Sequence, residues 1–249
     1  MHPSAAIGFE TGAAAYERGR PSYPAAAVER LVRELELAPG RRVLDLAAGT
    51  GKLTRLLVAT GAAVVAVEPV AAMRAQLVAA VPGVEVLDGT AEANPLPDDA
   101  VDAATVAQAF HWFRRDEALA ELSRVLRPGG GLVLVWNERN DDVAWVAQLT
   151  TIIHAHDDPD RPTYERRVDW AAVVAAAGGW APVREARFPL DQPMDADTLV
   201  DRAVSTSFVA AGGPAAAATV ADQVRTLVAD FPPTFALPYV THLWWTKLA

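Results

Sequence analysis

Apolar and polar residues recur with two different periods along the first 140 residues of the chain. Short apolar runs, the pattern of buried strands, predict β-strands at 42–46, 63–67, 84–87, 100–107 and 132–136. Between these runs the apolar residues return at helical spacing, which predicts helices at 24–37, 53–59, 70–81 and 116–126. This alternation of strand and helix requires crossover connections, so we expect a mainly parallel sheet with helices on both faces.

The pattern changes after residue 140. It predicts helices at 141–156, 170–177, 195–208 and 215–230 and strands at 183–190 and 235–248. The helices at 195–208 and 215–230 follow one another with no strand between them, which a simple crossover does not explain. We therefore expect these two helices to form a cap, inserted late in the chain over the carboxyl edge of the sheet.

Composition and charge limit the classes of partner. The 249 residues carry 22 Lys and Arg against 31 Asp and Glu, a formal net charge of −9, whereas nucleic-acid binding draws on clustered basic residues. The chain contains no cysteine, which excludes disulfides and thiolate chemistry. We read no apolar leader and no bilayer-spanning apolar run in the sequence. The expectation is a cytoplasmic protein with a small-molecule partner and with no nucleic-acid or membrane partner.

The segment VLDLAAGTGKLTRLL, residues 43–57, places small residues between a predicted strand and a predicted helix. In an open α/β sheet the ligand crevice lies where the first strand turns into its helix, and small residues there let the backbone approach a ligand closely. The segment therefore predicts a cofactor-binding turn. A P-loop would need Gly and Ser or Thr where Leu46 and Leu53 stand, and the dinucleotide fingerprint would need Gly at Thr54.

The segment VLDLAAGTGKLT resembles the first motif of class I S-adenosylmethionine-dependent methyltransferases, in which an acidic residue precedes alternating glycines. Three later segments resemble the following motifs in the same order and approximate spacing: VVAVEPVAAM, GTAEANPLPDDAVDAATVAQAFHWF and ALAELSRVLRPGGGLVLVW. The resemblance covers roughly residues 9–137 and is strongest to the type-11 methyltransferase domain and to small-molecule enzymes similar to trans-aconitate methyltransferase. Ala47 stands where the family commonly has its first glycine, and its methyl group demands only slightly more room.

This resemblance implies a Rossmann-like, doubly wound α/β fold, with a mainly parallel seven-stranded sheet and an antiparallel C-terminal strand. It also implies a single methyltransferase domain over residues 1–249. Within that domain we expect an N-terminal helical lid at 1–40, a cofactor-binding core at 41–140, substrate-side helices and the cap at 141–233, and a terminal strand at 234–249.

The resemblance further implies S-adenosyl-L-methionine as the cofactor and assigns residues to it. The expected cofactor-binding residues are Tyr16, Arg20, Asp45, Ala47, Gly49, Gly51, Glu68, Met73, Thr90, Ala91, Glu92, Ala107 and Gln108. Asp45 is expected to hold the ammonium group of the cofactor directly or through water, and Glu68 to accept both ribose hydroxyls. The alternatives are that Asp45 serves the backbone of its own turn and that Met73 is a core residue.

The N-terminal segment FETGAAAYERGRPSYP and the loop after the third strand carry further assignments. Relatives of this family open with a comparable segment that folds over the cofactor, which makes Tyr16 and Arg20 candidates for its carboxylate, because a guanidinium fork matches two oxygens. The alternative for Arg20 is an ordinary surface position. Glu92 is expected near the adenine, and the alternative is an exposed loop charge.

The segment VAQAFHWF, residues 106–113, is expected to face the methyl donor and acceptor. His111 is the candidate catalytic base for a hydroxyl acceptor, and the alternative is a wall of the pocket. Trp112, Asn137 and Arg139 are the candidate substrate-binding residues. For an anionic acceptor, the available cationic groups are Arg139, Arg166, Arg167 and Arg202, and the sequence does not indicate which of them point inward.

The expected function is therefore in-line methyl transfer from S-adenosylmethionine to a carboxylate or hydroxyl oxygen of a small molecule. The alternatives are methyl transfer to nitrogen or carbon, a cofactor-binding protein of the same fold that transfers no methyl group, and an NAD-dependent dehydrogenase, which Thr54 disfavours. A metal site is not expected, because a helix would place His154 and His156 on different faces. The acceptor and the oligomeric state are not determined by the sequence.

Overall fold

The computed structural model describes residues 19–155 and 168–249. Its strands are β1 (Arg42–Leu46), β2 (Ala63–Val67), β3 (Glu85–Leu87), β4 (Val101–Ala107), β5 (Leu126–Arg139), β6 (Arg184–Met194) and β7 (Phe235–Lys247). Its α-helices are α1 (Ala25–Glu34), α2 (Thr54–Val58), α3 (Ala71–Ala80), α4 (Arg115–Val125), α5 (Ala144–His154), α6 (Trp170–Ala177), α7 (Ala196–Val204), α8 (Ser207–Ala211) and α9 (Gly213–Leu227). A 3₁₀ turn spans Phe110–Trp112.

The strands form one seven-stranded sheet in the order β3-β2-β1-β4-β5-β7-β6. Strands β1 to β5 pair in parallel, whereas β7 is antiparallel to both of its neighbours, β5 and β6. The predicted seven-stranded, mainly parallel α/β sheet with an antiparallel C-terminal strand is confirmed. The order reverses between β1 and β4, and ligands of such sheets bind at this switch point, outside the carboxyl ends of the strands.

Two hydrophobic clusters cover the two faces of the sheet. Side chains alternate along β1, so Leu44 and Leu46 enter one cluster together with residues of α4, while Val43 enters the other together with residues of α1 and α2. Both faces of the parallel strands are thus buried, which explains the nearly continuous apolar runs in the sequence.

A third hydrophobic cluster lies in the late helices. It joins α5, α7 and α9 with the ends of β6 and β7, including the buried Leu199, Val224 and Leu237. Helices α7 to α9 lie between β6 and β7 in the chain and form the cap that the sequence predicted. Met194 and Phe235, the residues at which the chain leaves β6 and enters β7, are register partners in the sheet.

The glycine-rich segment at 128–131 differs from its prediction. We expected it to end a helix ahead of a strand at 132–136, but β5 begins at Leu126 and includes these glycines. A Cβ at Gly131 would lie 2.6 Å from Leu35 Cδ2, and one at Gly130 would lie 2.8 Å from the carbonyl oxygen of Arg127. The glycines therefore allow close packing within a strand, and the pairing of β4 with β5 shifts register at this point.

The predicted helix at 195–208 is also divided. Helix α7 ends at Val204, and α8 begins at Ser207. The Ser205 hydroxyl donates to the Arg202 carbonyl oxygen at 3.1 Å, a local bond that competes with the helical ladder. The following helix begins at Gly213, with Pro214 in its first turn, where a missing N–H has no cost.

Candidate functional site

The turn between β1 and α2 contains three residues with left-handed backbone. The φ angles are +54° at Ala47, +58° at Gly49 and +83° at Gly51. Alanine at position 47 therefore costs about 1–2 kcal/mol, because its backbone adopts the left-handed conformation. The sequence suggested a different cost, the slightly larger space that the methyl group needs. A Cβ at Gly49 would meet no atom within 4 Å, whereas one at Gly51 would lie 3.0 Å from Leu77 of α3. Gly49 therefore faces open space, while Gly51 faces a packed helix.

Asp45 is fully buried at the end of β1. Its carboxylate accepts hydrogen bonds from the hydroxyls of Thr54, at 2.6 Å, and Thr105, at 3.1 Å. Burial raises the pKa of Asp45 to about 6, although both hydroxyl bonds favour the charged form. Both donors are side chains and neither is a turn N–H group. The assignment of Asp45 to the cofactor remains a prediction, and the two threonines that hold it were not found from the sequence.

Glu68 follows β2 and is also buried. One carboxylate oxygen accepts the N–H of Gly49 at 2.9 Å, and the other accepts the N–H of Val70 at 2.9 Å. Burial raises the pKa of Glu68 above its usual value, opposed by these two backbone bonds. Glu68 therefore ties the glycine turn to the end of β2. Each oxygen retains a second lone pair for a ribose hydroxyl, which is the predicted contact.

The predicted adenine contacts lie around α3 and the loop after β3. Met73 is buried in α3, and Ala91 is buried in the cluster on one face of the sheet. The Thr90 hydroxyl accepts the N–H of Ala93 at 3.1 Å, and the Glu92 carboxylate accepts the N–H of Arg114 at 2.9 Å. These bonds fix the loop beside the sheet edge. The adenine contacts themselves stay predictions.

The end of β4 meets the N-terminal segment through Asn137. Gln108, with φ +58°, donates its side-chain amide to the carbonyl oxygen of Asn137 at 3.4 Å. The Asn137 amide donates to the carbonyl oxygen of Ser22 at 2.9 Å, and its oxygen accepts the Thr241 hydroxyl at 2.6 Å. Asn137 thus joins the residues after β4, the N-terminal segment and β7.

One cavity joins the glycine turn to the cap. It encloses about 510 Å³ of empty space, a volume that includes its open mouth. It is lined by Arg20, Pro21, Tyr23, Ala47, Ala48, Gly49, Thr50, Lys52, Leu53, Ala107, Gln108, Asn137, Arg202 and Tyr239. The predicted residues Arg20, Ala47, Gly49, Ala107, Gln108 and Asn137 are therefore brought together. Tyr239, in the first half of β7, was missed by the sequence analysis, because nothing in a terminal strand marked it.

Other predicted site residues do not line this cavity. Three of them stabilise the glycine turn instead: Gly51 packs against α3, Asp45 bonds to Thr54, and Glu68 bonds to the N–H of Gly49. His111 and Trp112 lie on the 3₁₀ turn beyond Gln108, with ring centroids 4.4 Å apart. Their roles stay predictions.

Of the cationic candidates, only some lie in the part of the chain that the structure describes. Arg139 is buried but donates from Nε to the Thr150 hydroxyl at 2.9 Å, away from the cavity lining, whereas Arg202 lines the cavity. Tyr16, Arg166 and Arg167 lie outside the described residues.

Within residues 19–155 and 168–249, no three His, Asp or Glu side chains gather in a way that could hold a metal ion. No helix there combines the length and apolarity that crossing a membrane requires.

Residues 44–134 match the model of a methyltransferase domain family. The chain is 41% identical over 240 residues to an uncharacterized methyltransferase of Mycobacterium tuberculosis, covering 94% of this chain and 93% of the relative. A candidate type II methyltransferase of Anaeromyxobacter dehalogenans has a similar structure, with a TM-score of 0.63 and 27% identity over 92% of this chain and 97% of that one.

A more distant structure adds a ligand. A phosphoethanolamine N-methyltransferase of Haemonchus contortus, in complex with phosphomonomethylethanolamine and S-adenosylhomocysteine, shares the fold at a TM-score of 0.56 and 15% identity, over 96% of this chain and 57% of that one. The likeness to trans-aconitate methyltransferase stays a prediction. Glycine turn, strand order and relatives agree, and the chain belongs to the class I S-adenosylmethionine-dependent methyltransferases.

Proposed function

We propose that this chain transfers a methyl group from S-adenosylmethionine to a carboxylate or hydroxyl oxygen of a small molecule. The observation that carries the proposal is the cavity at the carboxyl ends of β1 and β4. It is lined by the glycine turn on one side and by residues of α7 and β7 on the other. A donor bound at the turn and an acceptor bound at the cap would meet between these two sides.

The residues around the turn fit the cofactor. The open space above Gly49 lets a ligand approach the backbone, which a larger side chain would obstruct. Arg20 and Lys52, which line the same space, suit the cofactor carboxylate, and Glu68 suits a pair of ribose hydroxyls. S-adenosylmethionine, when bound, supplies a methyl group on a cationic sulfur, so the leaving group departs neutral.

The task of the protein side chains is then mainly to position the acceptor, because an in-line displacement depends on distance and alignment. Ala107 and Gln108 lie between the turn and the cap, and the N–H of Gln108 is held by the Val135 carbonyl oxygen at 2.9 Å. A carboxylate acceptor is already ionised at neutral pH and needs no base. A hydroxyl acceptor needs one, and His111 is the candidate.

Calorimetry and a transfer assay test the proposal. We expect the full chain to bind S-adenosylmethionine and S-adenosylhomocysteine but not NAD, and to transfer labelled methyl to oxygen in a panel of acids, phenols and amines. Binding of NAD instead would contradict the cofactor. Methylation at nitrogen or carbon would contradict the acceptor atom, and cofactor binding without transfer would favour the non-methylating alternative.

His111→Ala separates the two oxygen acceptors. For a hydroxyl acceptor the loss of a general base should lower kcat about 100-fold or more, whereas a carboxylate acceptor should lose only a few-fold. His154→Ala, at the end of α5, serves as the control variant. Equal losses of kcat for a hydroxyl and a carboxylate acceptor would remove His111 as a base.

A further inference from the structure

Two polar side chains from outside the matched domain line the same cavity as the glycine turn. Arg202 on α7 and Tyr239 on β7 are both buried, with 6% and 3% of their surfaces exposed. The family model ends at residue 134, so neither residue belongs to the part of the chain that carries the cofactor motifs. Their position indicates contact with the second ligand, the acceptor.

The Tyr239 hydroxyl has no hydrogen-bond partner among the residues that the structure describes. Buried tyrosine hydroxyls in proteins normally find one. The ring of Tyr239 packs in the third hydrophobic cluster with Leu237, so the side chain is held in place by apolar contacts. A ligand that enters the cavity can therefore meet a fixed O–H donor.

Arg202 brings a buried positive charge to the same space. Its aliphatic stem lies against the N-terminal segment, because a Cβ at Gly19 would lie 3.8 Å from Arg202 Cδ. Arg139, which is opposite Tyr239 in the β5–β7 register, does not line the cavity, whereas Arg202 does. Of these two buried arginines, Arg202 is the one that a ligand in the cavity would meet.

We propose that the Tyr239 hydroxyl and the Arg202 guanidinium bind an anionic oxygen group, a carboxylate or a phosphate, of the methyl acceptor. A phenolic O–H and a guanidinium fork together match the several oxygens of such a group. The inference rests on the proposed function. The rival ligand is the carboxylate of the cofactor itself, which the family resemblance assigns to Arg20.

The test measures acceptor binding to the full chain saturated with S-adenosylhomocysteine. The probes are matched pairs of an anion and a neutral analogue: benzoate and benzamide, hexanoate and hexanamide, phenyl phosphate and phenol. The variants are Tyr239→Phe, which keeps the ring, and Arg202→Gln. Arg225→Gln is the control, since Arg225 is a half-exposed arginine of the cap that pairs with Asp197 at 3.5 Å.

We expect at least one anion to bind at least tenfold more tightly than its neutral analogue. Tyr239→Phe and Arg202→Gln should each weaken that anion about 10- to 100-fold, the usual worth of a hydrogen bond to a charged group. They should leave the neutral analogue and S-adenosylhomocysteine within about twofold of the wild type, and Arg225→Gln should change nothing. The preferred pair tells a carboxylate from a phosphate.

Three results would overturn the proposal. The first is that no anion is preferred over its analogue, and the second is that Tyr239→Phe binds the preferred anion normally. The third is that either variant weakens S-adenosylhomocysteine as strongly as the anion, which would assign the pair to the cofactor. If Arg202→Gln does not fold, Tyr239→Phe alone decides. Failure of the wild type to bind S-adenosylhomocysteine would instead refute the proposed function.

Discussion

Ala47, Gly49 and Gly51 share a left-handed backbone but differ in what surrounds them. Ala47 and Gly49 line the cavity, whereas Gly51 packs against Leu77 of α3 and against Val81, the residue after this helix. The sequence motif does not separate these roles, because the same residue type meets a requirement for backbone conformation and a requirement for close packing. The neighbouring helix distinguishes them.

Substituting each glycine by alanine should separate the two roles. Gly49→Ala places a methyl group in the cavity and should weaken S-adenosylhomocysteine about tenfold. Gly51→Ala should lower the free energy of unfolding by about 2–4 kcal/mol, because backbone strain adds to a clash with α3. Gly83→Ala is the control for strain alone, with φ +85° and open space around the added Cβ, and should cost only about 1–2 kcal/mol. Calorimetry and urea unfolding measure both effects, and equal losses of stability at positions 51 and 83 would contradict the packing role.

The buried Asp45 should make folding depend on pH. Its pKa is raised from 3.8 to about 6, so the native state binds this proton more tightly than the unfolded chain does. The stabilisation from this group is complete below about pH 4 and is lost as the pH rises to about 6. At about 1.4 kcal/mol per unit, the loss amounts to roughly 3 kcal/mol.

Asp45→Asn should remove this dependence. Between pH 4 and 7, the free energy of unfolding of the wild type should fall by roughly 3 kcal/mol relative to that of the variant. Urea unfolding across this range gives the difference directly, and the titration of groups that do not interact with Asp45, such as His242, cancels in it. Parallel curves for the two proteins would show that Asp45 is ionised throughout.

At the scale of elements, two side chains of the sheet bond to the described part of the N-terminal segment. Asn137 on β5 reaches Ser22, and the Gln192 amide on β6 donates to the Gly19 carbonyl oxygen at 3.3 Å. Arg20, between these two points, lines the cavity. Asn137 and Gln192 therefore both help to hold this segment over the site.

Asn137→Ala should release part of this segment. We expect faster hydrogen exchange over residues 19–24 and about tenfold weaker binding of S-adenosylhomocysteine, since a bond to a backbone carbonyl is lost beside Arg20. Thr241→Val is the matched control, because it removes the other partner of Asn137 and leaves the bond to Ser22. If both variants exchange alike, Asn137 does not hold the segment.

The sequence could predict elements far better than the contacts between them. Periodicity and breakers located every strand of the sheet, and the motifs located the turn, because these signals are local. The hydroxyl of Thr105 meets Asp45 across 60 residues of chain, and Asn137 meets Ser22 across 115. Such pairs follow from strand order and register, which no local pattern contains. The glycines of β5 misled for a related reason, since their close neighbour, Leu35, belongs to another element.

At the scale of the whole molecule, the cap shares its core with the sheet. The third cluster combines cap residues such as Leu199 with Met194 and Tyr239, which belong to β6 and β7. Strand β7 is in turn paired with β5 from Tyr239 to Lys247. Cap and sheet are thus joined by apolar contacts and by a continuous ladder, which favours one cooperative folding unit.

A pair of core substitutions tests this cooperativity. Leu199→Ala in the cap and Leu57→Ala under the sheet each truncate a fully buried leucine and should cost about 2–5 kcal/mol. Each should lower the Tm of one transition by roughly 4–20 °C, with equal calorimetric and van't Hoff enthalpies. A separate early transition in Leu199→Ala alone would show that the cap melts by itself.

The cap departs from the sheet at Met194 and rejoins it at Phe235, and these two residues face each other across the hairpin. An inserted segment whose two ends are neighbours can be lengthened, shortened or replaced without shifting the strands that flank it. If the cap contacts the acceptor, as proposed, acceptor preference can diverge within a lineage while the donor half is inherited intact.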